Sequence, residues 1–249
     1  MRLDLFLVDK AYAESRQKSQ RLIKNGCVSV DGRVITKPSE EINAEIDHLI
    51  EIRETEDERY VSRGGLKLEG ALKRFNISPD GLVCADIGAS TGGFTDCLLQ
   101  HGASRVTAVD SGHSQLAPSL LSDPRVISLE NYNARYMSHG DFEYTPELAV
   151  MDVSFISATY IIGGIFSVLA PGGDFICLIK PQFEVGKEKV GKGGIVKNEK
   201  YRNEALKKVI DYAKGVGFIY LSHITSPIQG GDGNIEFLAH FKKGDARSV

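Results

Sequence analysis

A doubly wound α/β sheet preceded by a small α+β unit is the architecture that this sequence predicts, on three observations. From residue 82 onward, short β-rich runs alternate with helical stretches, the pattern of a mostly parallel sheet covered on both faces. The chain of 249 residues, 42% apolar and 25% charged, has room for one large domain and a small one and is too apolar to be disordered. Charge is also partitioned: residues 1–37 hold eight Lys/Arg against four Asp/Glu, residues 38–58 hold one against nine, and the remaining 191 hold 21 against 20. The net charge of −3 excludes a uniformly basic nucleic-acid coat, yet it conceals a basic N-terminal module followed by an acidic strip.

In the N-terminal module, Leu3, Phe6 and Leu7 repeat at helical spacing. Ser15 opens a second helical stretch that Asn25-Gly26 closes, and Val28 to Val34 alternates around Asp31-Gly32, the composition of a tight hairpin turn. Lys18, Arg21 and Lys24 fall on one side of the second helix with Arg16 near its start, making a basic ridge opposite Leu22 and Ile23. Taken alone, such a stripe reads as a solvated helix face. Residues 53–59 are almost wholly charged and read as a linker, which divides the chain into domains at 1–52 and 60–249.

The strands of the large domain are expected at Leu82–Ile87, Arg105–Val109, Arg125–Leu129, Leu148–Val153, Phe175–Ile179, Phe218–Ile224 and Ile235–Phe241, the last two as an antiparallel hairpin at the end of the sheet. Such sheets bind ligands beyond the carboxyl ends of their strands. The first strand runs into Asp86-Ile-Gly88-Ala89-Ser90-Thr-Gly92-Gly93-Phe94, and the second ends at Asp110. Glycines admit a cofactor to the backbone, and a carboxylate at the second strand end accepts from ribose hydroxyls. Ser90 replaces the middle glycine of the dinucleotide pattern, and Asp86 is placed to meet a cationic or amine-bearing group. That favours S-adenosylmethionine, with its ammonium and sulfonium, over a nicotinamide dinucleotide. Asn133, after the third strand, is placed either to bond the adenine edge or to serve as an ordinary loop residue. The expected domain is therefore a Rossmann-like, S-adenosylmethionine-dependent methyltransferase sheet.

The acceptor follows from the strand ends. Asp152 stands in Val150-Met-Asp152-Val-Ser-Phe155 without the two prolines usual where base amines are methylated, and Cys177 lies inside an apolar strand, where it reads as core rather than as the nucleophile for C5 methylation. What remains is Lys67, Asp152, Lys180 and Glu236. A ribose 2′-hydroxyl releases its proton only far above neutral pH, and a nearby basic amine answers that need. Singly, each lysine reads as a surface charge. Lys180, however, ends a buried run and Glu236 lies in an apolar strand, where unpaired charge is costly. Lys180 is thus expected to be the general base, with Asp152, Glu236 and Lys67 positioning it and the hydroxyl. Between Glu184 and Lys197, glycines and Lys187, Lys189 and Lys192 compose either a basic loop that closes over RNA or a plain surface loop.

These motifs carry a resemblance over nearly the whole chain. Arg2-Leu-Asp-x-x-Leu, then Ser15-Arg16-x-x-Ser-x-x-Leu-Ile-x-x-Gly26-x-Val-x-Val-Asp-Gly32, resembles the ribosomal-protein S4-like RNA-binding domain. That resemblance implies that Arg2, Arg16, Lys18, Arg21 and Lys24 face RNA phosphates. The large domain resembles the FtsJ/RrmJ-type ribose methyltransferases, whose Lys-Asp-Lys-Glu tetrad matches Lys67, Asp152, Lys180 and Glu236. Together, with Ser62-Arg-Gly-Gly-Leu-Lys67 and Lys180-Pro-Gln-Phe-Glu184, the chain resembles the TlyA family, often labelled haemolysins. The resemblance implies 2′-O-methylation of cytidine in ribosomal RNA, with ribosomal RNA or ribosomal subunits as partner.

Two other readings stand beside it: an RNA-binding assembly or regulatory factor that keeps the cofactor without turnover, and a membrane-lytic protein. Against the second, the longest nearly apolar run, Tyr160 to Ala170, is interrupted by glycines and falls short of the roughly 20 residues of a membrane helix. The four cysteines have no C-x-x-C spacing, so buried thiols in a reducing cytoplasm are expected, with no metal site and no obligatory protein partner.

Overall fold

The computed structural model describes residues 1–13, 15–53 and 59–244, so residues 54–58 of the expected linker lie outside the described residues. The chain divides into two units after Arg59.

The first unit opens with α1 (Leu3–Asp9) and α2 (Arg16–Lys24), followed by β1 (Val28–Val30), β2 (Arg33–Ile35) and β3 (Ile50–Ile52). Ser15 caps α2 by accepting from the Lys18 amide at 3.2 Å. β1 pairs antiparallel with both β2 and β3. Asp31 and Gly32 both take positive φ, 52° and 80°, the backbone that a two-residue hairpin turn demands. Leu3, Phe6, Leu7, Leu22 and Ile23 pack with Val28, Val30 and Ile35 into one core. Inside this unit sits a fully buried carboxylate, Asp4. It accepts from Arg2 Nε at 2.9 Å, Arg16 Nε at 3.0 Å and Gln20 Nε2 at 2.7 Å. The Arg2 hydrogen bond, with those of Gln20 and Arg16, holds the Asp4 carboxyl well below the usual carboxylate range.

The second unit begins with α3 (Gly64–Phe75), β4 (Val83–Ile87), α4 (Gly93–Gln100), β5 (Arg105–Val109), α5 (Pro118–Leu121), β6 (Val126–Leu129) and β7 (Leu148–Met151). It continues through α6 (Thr159–Val168), β8 (Asp174–Ile179), α7 (Pro181–Glu184), α8 (Glu199–Val216), β9 (Phe218–Thr225) and β10 (Phe237–Lys243). Its seven strands lie in the order β6-β5-β4-β7-β8-β10-β9. β6, β5, β4, β7 and β8 are parallel, and β10 is antiparallel to both its neighbours. The expected antiparallel pair is present at the sheet's end, but β10, the later strand, is the inner one and β9 forms the edge.

Period-two alternation explains the two faces. Ala149, Met151, Phe175, Cys177 and Ile179 meet Ile161, Ile162, Leu206 and Val209 of α6 and α8. Leu148, Val150, Ile176 and Leu178 meet Leu68, Leu72 and Leu98 of α3 and α4. All four cysteines are free and buried, and burial pushes the Cys84 and Cys97 thiols up to about 12, which makes them core residues rather than nucleophiles.

Candidate active site

Strand order reverses beside β4, because the chain leaves it for β5 on one side and returns with β7 on the other. Ligands bind at such a switch point, outside the carboxyl ends of the strands. At that point Gly88 follows β4 with φ of 86°, and a Cβ there would stand 2.4 Å from the Asp152 carbonyl oxygen after β7. Only glycine lets the two strand ends approach this closely. Gly93 serves the same purpose at the start of α4, where a Cβ would meet Ser62 Oγ at 2.2 Å. Asp110, at the end of β5, stiffens the loop by accepting from the Ser90 amide and the Gly112 amide, each at 2.7 Å.

Two cavities flank this loop. One, of about 300 Å³, is lined by Gly88, Ala89, Ser90, Gly93 and Phe94 together with Ser62 and Arg63; the other, of about 430 Å³, is lined by Gly88, Ser90, Asp110, Tyr132 and Asn133. Asn133 also accepts from the Arg135 amide at 3.1 Å, capping a short 3-10 turn. Two residues of the glycine-rich segment lie elsewhere. Gly92 packs under Leu116 and Leu120. Asp86 is fully buried, with Oδ2 accepting from Thr95 Oγ1 at 2.7 Å and Oδ1 without a partner. Desolvation raises its carboxyl to about 7; the Thr95 bond ties it to α4 from beneath, and it lines neither cavity.

The four charged residues singled out in the sequence come together in two pairs. Lys67 Nζ donates to Glu236 Oε2 at 2.5 Å, both side chains being almost fully buried. Lys180 Nζ lies 2.5 Å from Asp152 Oδ1 and donates to Ser154 Oγ at 2.7 Å. Topology explains the meeting. Asp152 and Lys180 follow the parallel neighbours β7 and β8, while β10 runs the other way with Phe237 opposite Ile179, so Glu236 enters at the end where Lys180 leaves. Lys67 reaches them from the first turn of α3. A third cavity, of about 350 Å³, is walled by Lys67, Lys180, Glu236, Ser154, Phe155 and Gln182.

The arrangement thus places a glycine-lined trough beside two lysine–carboxylate pairs, Lys67–Glu236 buried and Lys180–Asp152 partly exposed. The FtsJ-like methyltransferase family matches residues 60–243, and the S4 domain matches residues 1–45. The chain belongs to the FtsJ-like methyltransferase family. Hemolysin A of Brachyspira hyodysenteriae is 46% identical, with 97% of this chain and 99% of the relative covered. The 16S/23S rRNA (cytidine-2′-O)-methyltransferase TlyA of Mycobacterium tuberculosis is 40% identical over 95% of this chain and 87% of its own length. A solved structure from Streptococcus thermophilus, described as a candidate hemolysin, superposes with a TM-score of 0.78 at 44% identity, covering 98% of this chain and 89% of that one. No helix among the described residues is long and apolar enough to cross a membrane.

Three residues of this FtsJ-like site escaped the sequence reading: Ser154, Phe155 and Gln182. Their signal was adjacency, since each lies within three residues of Asp152 or Lys180. The segment from Glu184 to Lys197 is tied down by Asn234, which accepts from the Val196 amide at 3.0 Å and donates to the Gly194 carbonyl at 2.9 Å. Lys189 within it pairs with Glu204 at 2.6 Å. On the first unit, Lys24 is exposed and Lys18 and Arg21 are half-buried, whereas the guanidinium groups of Arg2 and Arg16 are engaged by Asp4.

Proposed function

We propose that the chain transfers a methyl group from S-adenosylmethionine to a ribose 2′-hydroxyl, that of a cytidine in ribosomal RNA. The observation that carries this reading is the meeting of Lys67–Glu236 and Lys180–Asp152 around two adjoining cavities beside the glycine loop: both lysines line both cavities, Glu236 lines one and Asp152 the other. The named activity of the Mycobacterium tuberculosis relative supports the base and the RNA class.

The residues around the loop suit the cofactor. Gly88 leaves open the space that a Cβ would close, and it lines both flanking cavities, which also share Ser90, Asp152 and Ser154. Asp110 would hold the ribose hydroxyls, because each of its oxygens keeps a lone pair beyond the amide it already accepts. Asn133 would meet the adenine edge, and Gly88 to Ser90 with Ser62 and Arg63 would hold the amino-acid end. When bound, S-adenosylmethionine supplies an electrophilic methyl group on a positively charged sulfur.

As the uncharged amine, Lys180 Nζ would take the 2′-hydroxyl proton while the oxygen accepts the methyl group in line and the departing sulfur keeps the electron pair of the broken carbon–sulfur bond, leaving a neutral thioether. The ammonium it becomes is held by Asp152 and Ser154, which stay in place throughout. Lys67, fixed by Glu236, presents its remaining donors toward the same oxygen. General-base catalysis of this kind contributes on the order of 10²–10⁴-fold, and alignment of oxygen and methyl much of the rest. The first unit, matched by the S4 domain, would hold structured RNA through Lys18, Arg21 and Lys24.

The test incubates the protein with methyl-labelled S-adenosylmethionine and separated small and large ribosomal subunits, then hydrolyses the RNA in alkali. A 2′-O-methyl blocks cleavage, so label is expected in alkali-resistant dinucleotides. Label on bases, or none on either subunit, overturns the reading.

A further inference from the structure

We propose that Glu184 is a positioning residue of this reaction, a latch that holds the Asp152 loop against the Lys180 loop and so fixes the two members of the charged pair relative to one another. The inference rests on the methyl-transfer reading and deepens it.

The side chain of Glu184 is 2% exposed and lines none of the three cavities, so it reaches neither acceptor nor cofactor. Its carboxylate spans the two loops instead. Oε1 accepts from the Ala158 amide at 2.6 Å, and Oε2 accepts from Ser157 Oγ at 2.5 Å. Ala158 is the residue from which α6 starts, where unpaired amides and the helix dipole favour an anion. Glu184 itself ends α7, the short helix that Lys180 caps. One carboxylate therefore joins the end of the Asp152-Val-Ser-Phe-Ile-Ser-Ala158 loop to the end of the Lys180-Pro-Gln-Phe-Glu184 turn.

Lys208, from α8, supplies the counter-charge. Its Nζ donates to Glu184 Oε2 at 3.0 Å and to the Glu184 carbonyl at 2.9 Å. The buried carboxylate is thus neutralised and its backbone held at once, as a buried charge requires. The two latched loops carry Asp152, Ser154 and Phe155 on one side and Lys180, Gln182 and Phe183 on the other. Besides the latch, the Phe155–Phe183 ring contact and the Lys180 bonds to Asp152 and Ser154 also join them. Displacing reacting groups by about 1 Å costs on the order of 10²-fold in rate.

The experiment compares Glu184→Ala, Glu184→Gln and Lys208→Met in the full chain, measuring kcat and KM on ribosomal subunits, S-adenosylmethionine Kd by calorimetry, and Tm. Glu184→Ala is expected to lower kcat about 10²-fold while the cofactor Kd stays within about twofold. Glu184→Gln, which keeps an acceptor for the Ala158 amide, is expected to recover about tenfold of that loss. Should Glu184→Ala not fold, Lys208→Met decides, with a several-fold drop in kcat at unchanged KM expected. The proposal is overturned if kcat of the folded Glu184→Ala protein stays within about threefold of the unsubstituted chain, if the loss lies wholly in cofactor Kd, if Gln rescues nothing, or if Lys208→Met keeps full kcat where Ala does not fold. Failure of the methyl-transfer reading is separate, because the unsubstituted chain would then label no ribose.

Discussion

The ring of Phe155 lies 5.3 Å from that of Phe183, tilted by 51°, although Phe155 is 92% exposed. Its backbone sits at φ of +65°, a region that bulky side chains rarely enter. A large apolar ring held in a strained backbone, open to solvent at the rim of the cavity that Lys67 and Lys180 line, would give a nucleobase a surface on which to stack. Phe155→Ala is expected to raise KM for RNA by roughly 5- to 150-fold, from the ~1–3 kcal/mol that one stacked base contributes. Tm should stay put, since the ring covers little of the core. Unchanged KM in a subunit-methylation assay would refute the stacking role.

The Lys180–Ser154 bond gives a graded test of the base. Lys180→Ala is expected to lower kcat by on the order of 10²–10⁴-fold with cofactor affinity retained. Ser154→Ala removes one acceptor of the ammonium and is expected to cost about tenfold. Single-turnover rates alongside calorimetric Kd values check both. If Ser154→Ala proved the more damaging, Lys180 would not be the base.

Asp4 makes the first unit acid-sensitive. Its carboxyl is held below the ordinary value, about 3.9 in an unfolded chain, so the stability it contributes is complete above that value and is lost as pH falls through the lower, folded one. Asp4→Asn is expected to loosen the unit at neutral pH by about 1–3 kcal/mol, toward the low end because the Arg2 and Arg16 partners are half-exposed. Hydrogen exchange of the α1 and α2 amides reads this out. The substituted protein should also lack the loss of protection below about pH 4 that is expected of the parent.

Reversing Lys18, Arg21 and Lys24 to Glu should weaken RNA binding and flatten its dependence on salt by roughly one unit of slope per lost phosphate contact. Arg16 is left out of that set because its guanidinium supports Asp4. Cofactor affinity measured in parallel should not move. A variant that binds RNA as before would show that the ridge is only a solvated face.

The alternating runs made the parallel strands legible, because a buried strand must be apolar and short wherever it lies. Legible too was the charged tetrad, since lysine and glutamate next to apolar runs need partners. What pairing cannot reveal is which strand of the final hairpin abuts β8, and that choice delivers Glu236 to Lys67. Asp86 was expected to meet a cationic group and instead lies under the loop. Strand alternation places it on the same face as Cys84, beneath α4, where Thr95 meets it. Phe155, Gln182 and Glu184 had no periodicity to betray them, because their environments are made by two loops that meet only in three dimensions.

Lys67 waits for a partner that lies 169 residues further along the chain. During synthesis the glycine loop and most of the strands emerge before β10, so Lys67 is made long before the carboxylate that fixes it. That carboxylate comes into place only where the final hairpin lies beside β8.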